Sequence, residues 1–226
     1  MNKVMHDISV LGMMVMTFIA VVSCSLVSFD FNEYEERGYV MHLNRDTVYI
    51  MEGDTFTLSP LYTPELHGDN VFWASTDSVL KIDGNNIIAS KVGDTYVKAY
   101  SSYQNLTDSC YVNVMPKWRT PIYDYPYETI VNANVMIDDN FFDPSKMKVA
   151  AFINGECRGL GIPKDYFGTT IIQFRICGNP SEHNEQIRFR LYIHDELFCE
   201  YFPQTIPFDG ATHGTISSLV VLKMDR

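Results

Sequence analysis

The chain has 226 residues, enough for one or two domains that each bury a hydrophobic core of ordinary size. Its 28 acidic side chains outnumber its 17 basic ones, and the resulting net charge of -11 disfavours nucleic acid and anionic lipid head groups as partners. Aromatic residues make up 13% of the chain and no low-complexity segment interrupts it, which is typical of a globular protein rich in strands.

The first 24 residues are predicted to be an export signal. Lys3 provides a basic start, and Ile8–Val22 is an uncharged apolar run that suits a signal peptide but is short for a membrane-spanning helix. The run ends at Ser23-Cys24, where it resembles the bacterial lipobox, in which the cysteine is diacylated and becomes the mature N-terminus. The resemblance implies an exported lipoprotein held to a membrane through Cys24. A secreted protein that is cleaved nearby, with Cys24 incidental, is the alternative.

An acidic segment, residues 25–38, follows the cysteine. It has no periodic apolar face, so we expect it to be a tether. It is similar to the acidic segment that follows the lipid-bearing cysteine in surface-exported lipoproteins of the Bacteroides group. That similarity implies an outer membrane lipoprotein displayed at the cell surface, and a plain solvated spacer is the alternative.

The first predicted domain covers residues 39–115. Thr47–Met51 and Thr55–Leu58 alternate in hydrophobicity on either side of the turn Glu52-Gly53-Asp54, which predicts a hairpin that buries Phe56 and Leu58. A longer connection, Leu61–Asn70, follows.

Four short strands are then predicted within Val71–Tyr100, with Trp73 as the large buried ring. The dipeptides Asp83-Gly84 and Gly93-Asp94 are predicted to form turns between them. The last strand, Asp108–Val114, turns Cys110, Val112 and Val114 to the interior. So many strands at this spacing indicate an antiparallel β-sandwich.

These motifs together resemble the bacterial Ig-like domain of the second group, which occurs in intimin- and invasin-type surface proteins. The resemblance depends on a Gly-Asp turn before a Thr-rich strand, a Trp-x-Ser-x-Asp segment, an Asp-Gly hairpin and an aliphatic-Gly turn before a Val-x-Ala strand. The residues that match are Gly53, Asp54, Trp73, Ser75, Asp77, Ile82, Asp83, Gly84, Val92, Gly93, Val97 and Ala99. The long connection Tyr62–Asn70 departs from the family pattern.

A linker, residues 116–127, separates the two predicted domains. Its prolines end the preceding strand, and it contains an aromatic cluster made of Trp118, Tyr123, Tyr125 and Tyr127. We expect these rings to wedge the joint between the domains. A platform that stacks on sugar rings is the alternative.

The second predicted domain, residues 128–226, is again all-β. Seven strands are predicted, at residues 129–137, 147–153, 156–162, 170–177, 187–194, 197–202 and 219–222. Asn154-Gly155 predicts a two-residue hairpin turn. The hairpin around it resembles a β-sandwich module of secreted Bacteroides-group proteins with an Ala-Phe-x-x-Gly-Glu-x-Arg-Gly motif, matched by Ala151, Phe152, Gly155, Glu156, Arg158 and Gly159.

We interpret the residues of this motif as scaffold. Glu156 and Arg158 lie two apart on one strand face and can form an ion pair, and Gly159 permits close backbone approach. Contact with a ligand is the alternative role for these residues.

The remaining cysteines, Cys110, Cys157, Cys177 and Cys199, are interpreted as small buried hydrophobic groups. A disulfide among the last three is the alternative, because the chain is exported. A Cys-His hydrolase would use Cys157 as nucleophile, His194 or His213 as base and Asp195 to orient the base. This half has no predicted helix whose N-terminus would activate the thiol, which disfavours the hydrolase.

No metal site or cofactor is predicted. Asp138–Asp143 is similar to a calcium loop but lacks the glycine at its sixth position and the glutamate at its twelfth, which is Val149, so a solvated turn is expected.

The sequence therefore predicts an all-β, lipid-anchored exported protein with two β-sandwich domains, the first Ig-like and the second Ig-like or jelly-roll-like. The expected function is non-enzymatic binding or adhesion to a host protein or glycan. Its ligand surface is expected in the loops Gly178–Gln186 and Gln204–Thr215. A structural subunit of a surface assembly, joined by strand addition, is a second reading. The Cys-His hydrolase is the third.

Overall fold

The computed structural model describes residues 38–121, 124–141, 143, 145–166 and 168–226, without the side chains of residues 141 and 169. The predicted export signal, its lipid-bearing Cys24, residues 25–37 of the tether, and Tyr123 all lie outside the described residues. Within the described residues, no helix has the length and hydropathy of a membrane span.

Strands account for almost all of the regular structure. The first nine are β1 Val40–Leu43, β2 Thr47–Met51, β3 Thr55–Thr57, β4 Pro60–Thr63, β5 Val71–Ser75, β6 Leu80–Asp83, β7 Asn86–Ala89, β8 Gly93–Ser101 and β9 Thr107–Met115. The others are β10 Tyr127–Ile137, β11 Asn140–Phe141, β12 Met147–Ile153, β13 Glu156–Tyr166, β14 Thr169–Gly178, β15 Gln186–Ile193, β16 Phe198–Pro207, β17 Thr212–His213 and β18 Val220–Met224. The one helical element among the described residues is a 3₁₀ turn, Pro180–Glu182. The predicted all-β class is confirmed.

The first half of the chain forms a β-sandwich. One sheet has the order β2-β9-β8-β5, a second has the order β3-β7-β6, and β1 pairs with β4. Alternate residues of each strand point inward, as in β8, where exposed and buried positions follow one another. Side chains from the two larger sheets meet in one buried cluster that includes Ile50, Phe56, Ile87, Val97 and Val112. Full burial of each such side chain contributes about 1.5–3 kcal/mol to the free energy of folding.

The four predicted strands within Val71–Tyr100 are confirmed as β5 to β8. The chain turns at Gly84-Asn85 between β6 and β7, with Asp83 as the last residue of β6 and a φ of 61° at Gly84. Two details are wrong. Gly93-Asp94 is no turn but the start of β8, because the chain bends one step earlier, at Lys91 and Val92. Trp73 is only half-buried and packs at the margin of the core.

The predicted hairpin of Thr47–Met51 and Thr55–Leu58 is also wrong. β2 pairs in parallel with β9, whereas β3 pairs with β7 in the other sheet. The turn between them carries the chain from one layer to the next, and Gly53 adopts a φ of 86° there. Its N–H donates to the carbonyl of Ala89 at 2.7 Å. Phe56 and Leu58 are nevertheless buried, as expected.

The second half forms another β-sandwich, with the strand order β11-β10-β14-β13-β12-β15-β16 and with β17 and β18 on β10. The seven predicted strands are all present, as β10, β12, β13, β14, β15, β16 and β18. β13 links the two layers, because its residues 156–160 pair with β12 and its residues 161–166 pair with β14. The rings of Phe174 and Phe189 meet inside at 5.1 Å in an edge-to-face arrangement.

Asn154-Gly155 joins β12 to β13 as predicted. The two residues have φ values of 51° and 82°, and Ile153 pairs with Glu156 across the turn. Positive φ at both central positions is the geometry of a type I′ turn, whose twist matches that of the flanking strands.

A third buried cluster lies where the two sandwiches meet. Met51 and Met115 of the first pack against Tyr192 and Cys199 of the second, with Trp118 at the side. Trp118 packs edge-to-face on Tyr192, with ring centroids 6.1 Å apart, so it occupies the joint as expected. Met41–Arg226 thus form one compact unit, and the domain boundaries inferred from sequence remain predictions.

Leu197 ties the two sandwiches together further. It belongs to the second half but joins the buried cluster of the first, and its carbonyl accepts a hydrogen bond of 2.8 Å from the Tyr49 N–H.

Candidate functional site

The structure places the groups of the hydrolase hypothesis apart. Cys157 pairs with Phe152 near one end of β12, whereas His194 follows Ile193, which pairs with Met147 at the other end. Five residues of strand separate these positions, a distance of roughly 16 Å. The Cys157 thiol donates to the Arg119 carbonyl at 3.3 Å, and burial raises its pKa. A thiol with a raised pKa is a poor nucleophile.

The two candidate bases have other partners. His194 Nδ1 lies 3.3 Å from the Tyr192 hydroxyl and 3.8 Å from a carboxylate oxygen of Asp54. His213 Nε2 lies 2.9 Å from Asp209. The described contacts therefore do not assemble Cys157, a histidine and Asp195 into one site.

The four cysteines within the described residues are all free thiols. Cys110, Cys177 and Cys199 are buried, which confirms their interpretation as small hydrophobic groups, whereas Cys157 is half-buried. Burial raises the pKa of Cys110 and of Cys199 to about 12. Neither thiol is ionised at neutral pH.

Arg158 is buried at the base of the motif hairpin, with 4% of its surface exposed. Its guanidinium lies 2.7 Å from Glu156 and 2.8 Å from Glu182, and 3.9 Å from the centre of the Tyr125 ring. The predicted ion pair with Glu156 is present. Sequence reasoning missed Glu182, which comes from the 3₁₀ turn and also accepts from the Asn179 N–H at 2.6 Å.

These partners keep Glu182 ionised. Burial by itself raises the pKa of the carboxyl group, but the hydrogen bonds from the Asn179 N–H and from Arg158 outweigh burial and lower it. At position 159 a Cβ would lie 2.5 Å from the Arg175 carbonyl oxygen, so Gly159 does permit close backbone approach. These contacts support the interpretation of the motif residues as scaffold.

The calcium-like segment begins with a turn and continues into β11. Asp138 and Asp139 have φ values of 49° and 60° and connect β10 to β11. Their carboxylates pair with Arg226 at 3.0 Å and with Lys223 at 2.9 Å. Among the described residues, no group of three metal-ligating side chains was found.

The two loops in which a ligand surface was expected lie side by side. Backbone hydrogen bonds of 2.8 Å join Asn184 to Phe208 and Phe208 to Glu185. Phe208 is buried and packs over Gly178. The first four residues of the second loop, 204–207, continue β16. A ligand surface at these loops remains a prediction.

A row of exposed aromatic rings lies on the outer face of the sheet β2-β9-β8-β5, which we call the aromatic face. Phe72, Tyr96 and Tyr100 are 65%, 49% and 41% exposed. Phe72 lies directly opposite Tyr100, and Tyr96 lies opposite Tyr111, whose ring centroid is 5.5 Å away. Rings of this size are normally packed away, so their exposure on one sheet face is informative.

Polar groups lie between the rings. Asp94 accepts hydrogen bonds from the side chains of Asn113 and Tyr111, and these bonds lower its pKa. Lys98, opposite Ser109, separates Tyr96 from Tyr100 along β8. The face therefore offers flat apolar surfaces together with hydrogen-bonding groups.

The sequence-based predictions do not include the aromatic face, although the sequence holds a signal for it. Val97 and Ala99 are motif residues of the predicted Ig-like domain, and both are buried. Strict alternation then turns Tyr96, Lys98 and Tyr100 outward on the same strand. The neighbouring Phe72 and Tyr111 become visible only with the strand register.

Two clefts of more than 500 Å³ flank the joint between the sandwiches. One, of about 520 Å³, is lined by residues that include Asp54, Lys117, Trp118 and Lys148. The other, of about 580 Å³, we call the arginine cleft. Its lining includes Tyr49, Arg188, Arg190, Glu200, Tyr201 and Thr205.

The arginine cleft contains an unusual donor. The Nε of Arg190 is buried and, among the described residues, no acceptor contacts it. Leaving such a donor unsatisfied costs about 1–3 kcal/mol.

No protein-family model matches the chain, and no curated protein matches it either. Solved structures similar to it include protocadherin gamma B7 extracellular cadherin domains 1–4, with 11% identity, a TM-score of 0.28, and coverage of 76% of this chain and 49% of that one. Another is the ICAM-5 ectodomain fragment D1–D4, with 6% identity, a TM-score of 0.27, and coverage of 79% and 52%. A third is the tandem Ig repeats of Dlar, with 8% identity, a TM-score of 0.25, and coverage of 84% and 100%.

The chain spans about half the length of the first two structures that it matches. The β-sandwich fold of this chain is established by the pairing of its own strands.

Proposed function

We propose that this protein is an exported, lipid-anchored, non-enzymatic binding module that engages an extracellular glycan or protein through its aromatic face. The observation that carries the proposal is the exposure of Phe72, Tyr96 and Tyr100 on one face of one sheet. Burying these rings on a ligand would release the water that now covers them.

A glycan fits this face better than a protein does. Sugar rings present apolar C–H surfaces that stack on aromatic rings, and hydroxyl groups that need hydrogen-bond partners. The aromatic face supplies both, because Asp94, Lys98 and Asn113 share it with the rings. A protein ligand remains an outcome of the test.

The full chain is to be screened on arrays of glycans and host proteins, and the bound ligand then titrated against variants. We expect Phe72→Ala combined with Tyr96→Ala to weaken binding at least tenfold. Tyr127→Ala is the matched control, because Tyr127 is a 53% exposed tyrosine on β10 of the other sandwich. Equal affinities of the double variant and the control would contradict the proposal.

Membrane anchoring is supported by the lipobox-like end of the export signal and by the acidic tether that follows it. Resemblance of the first sandwich to the bacterial Ig-like domain of the second group supports the same setting, in an outer membrane lipoprotein of the Bacteroides type displayed at the surface. Labelled fatty acid should be incorporated into the wild-type chain and not into Cys24→Ser. Labelling of the variant would contradict attachment at Cys24.

A structural subunit of a surface assembly is the second candidate, and β5 favours it. Within the described residues, β5 has a ladder partner on one side only, and its sequence Val-Phe-Trp-Ala-Ser contains neither a charge nor a proline. Such an edge is a template for strand addition. Light scattering of the purified chain distinguishes the binding module from the assembly subunit. A monodisperse monomer excludes assembly through β5. An oligomer that Ala74→Lys converts to monomers supports assembly through β5.

The non-enzymatic part of the proposal has its own test. The chain should show no activity on hydrolase substrates before or after alkylation of Cys157. A thiol-sensitive hydrolase activity would contradict it.

A further inference from the structure

Two arginines lie side by side in the arginine cleft. Arg188 and Arg190 are two residues apart on β15 and therefore share one face of the strand. Both guanidiniums lie over the ring of Tyr201, at 4.1 Å and 5.1 Å from its centre. The ring holds the two positive charges in place without neutralising them.

Neither arginine has a carboxylate partner among the described residues. Their side chains take part in contacts with Tyr201, and the buried Nε of Arg190 contacts no acceptor in the described part of the chain. By contrast, three of the five other arginines in the described residues, Arg158, Arg175 and Arg226, each hold a carboxylate at 3.0 Å or less. In a chain with a net charge of -11, two unpaired arginines in one cleft are a local exception.

The chemistry of the cleft indicates the ligand. A guanidinium presents a rigid fork of donors that fits the two oxygens of a carboxylate or phosphate. Glu200 lines the same cleft and would repel a doubly charged phosphate more than a singly charged carboxylate. Glu200 and Thr205 can also receive hydrogen bonds from hydroxyl groups, which an acidic sugar has. The volume of about 580 Å³ lies in the range of small-ligand sites.

The arginine cleft adjoins the aromatic face. Tyr49 lines the cleft, and in the sheet it lies beside Asn113, which pairs with Asp94 of that face. A ligand held on the aromatic rings can therefore continue into the cleft.

We infer that the arginine cleft binds the carboxylate of an acidic sugar, at one end of the ligand that the aromatic face holds. This inference rests on the proposed function and names the charged group that the ligand carries.

The probe for the test is sodium glucuronate, with glucose as its neutral counterpart. Titration of the full chain, followed by the NMR signals of the arginine Nε–H groups, should show shifts at Arg188 and Arg190 with glucuronate and none with glucose. Arg188→Gln and Arg190→Gln should each weaken glucuronate binding at least tenfold. Arg175→Gln removes the same charge from the exposed face of β14, and its affinity should stay within twofold of wild type.

A thermal melt checks that each variant is folded. If Arg190→Gln does not fold, because Arg190 is less exposed than Arg188, the Arg188→Gln variant still tests the inference. Absence of glucuronate binding to the wild-type chain overturns the inference. Sulfate or phosphate that binds as tightly as glucuronate overturns the assignment to a carboxylate.

The two proposals fail separately. If neutral glycans bind through Phe72 and Tyr96 but glucuronate does not bind, the proposed function is supported and the inference about the arginine cleft is contradicted. Glucuronate binding that depends on Arg188, in a chain that binds no glycan or protein on the arrays, would remove the proposed function instead.

Discussion

Arg158 shows how a single buried charge organises its surroundings. It brings together the motif hairpin, the 3₁₀ turn and the linker, through Glu156, Glu182 and Tyr125. A buried guanidinium is costly unless its donors are met, so its partners differ in importance according to their own burial. The side chain of Glu182 is 14% exposed and that of Glu156 is 67% exposed.

We therefore expect Glu182→Gln to lower the free energy of unfolding by about 2 kcal/mol, because it removes a charged acceptor from a buried donor. The matched Glu156→Gln should lower it by roughly 0.5 kcal/mol, since exposed ion pairs are screened by water. Urea unfolding at neutral pH measures both. Equal losses would show that burial does not decide the strength of these pairs.

The lowered pKa of Glu182 also predicts a pH dependence. A carboxyl group whose pKa is lower in the folded state than in the unfolded state stabilises the fold above its unfolded pKa, and this contribution is lost as the pH falls through the folded value. Wild type should therefore lose more stability than Glu182→Gln on acidification below about pH 4.5. The urea midpoint, followed against pH, tests this, and parallel curves would contradict it.

Gly159→Ala should destabilise the second sandwich by about 1–3 kcal/mol, because its Cβ would press against the Arg175 backbone, which cannot swing away. Gly38→Ala is the control, since nothing lies within 4 Å of that position. Urea midpoints of the two variants give the comparison. A loss no larger than that of the control would show that β13 and β14 can separate locally without cost.

Among the elements, the β12–β13 hairpin depends on its turn. Gly155 has a φ of 82°, and a Cβ there would meet no neighbour, so any cost of Gly155→Ala is conformational. We expect a loss of about 1 kcal/mol in the free energy of unfolding. Asn154→Gly, at a φ of 51°, should be nearly neutral or stabilising, and a larger loss for this control than for Gly155→Ala would contradict the turn type.

The strands were the part of the fold that the sequence could predict. Alternation placed Cys110, Val112 and Val114 inside, and the dipeptide Asn154-Gly155 specified its hairpin. Alternation says which face of a strand is buried but not which strand lies beside it. For that reason the sequence predicts a hairpin between β2 and the strand that follows it, whereas the partner of β2 is β9, the last strand of the same sandwich.

The candidate sites could not be predicted from the sequence, because they depend on which strands pair and in which register. Glu182 reaches Arg158 from 24 residues away, and Phe72 lies beside Tyr100 only because β5 and β8 are neighbours. Arg188 and Arg190 could be placed on one face of a strand from sequence. Tyr49 of the other sandwich also lines their cleft, which no local pattern reveals.

At the scale of the whole molecule, the two sandwiches share residues. Leu197 is 8% exposed and packs in the core of the first sandwich while it belongs to the turn between β15 and β16 of the second. Cooperative unfolding of Met41–Arg226 is therefore expected.

Calorimetry of the full chain should show a single transition for wild type, and Leu197→Ala should separate it into two. Leu191→Ala is the matched control, because Leu191 is fully buried inside the second core, so its variant should lower the transition temperature without splitting it. Two transitions already in wild type would contradict the coupling.

The parallel pairing of β2 with β9 has a mechanical consequence. β2 lies toward the end of the chain that is proposed to be anchored, and β9 leads into the second sandwich. Tension applied between an anchored start and a gripped far end would pull these strands past each other, which loads all five residue pairs of the ladder at once rather than opening them in succession. A tethered protein that holds its target in a moving fluid would therefore resist unfolding of its first sandwich, because the β2–β9 ladder carries the load.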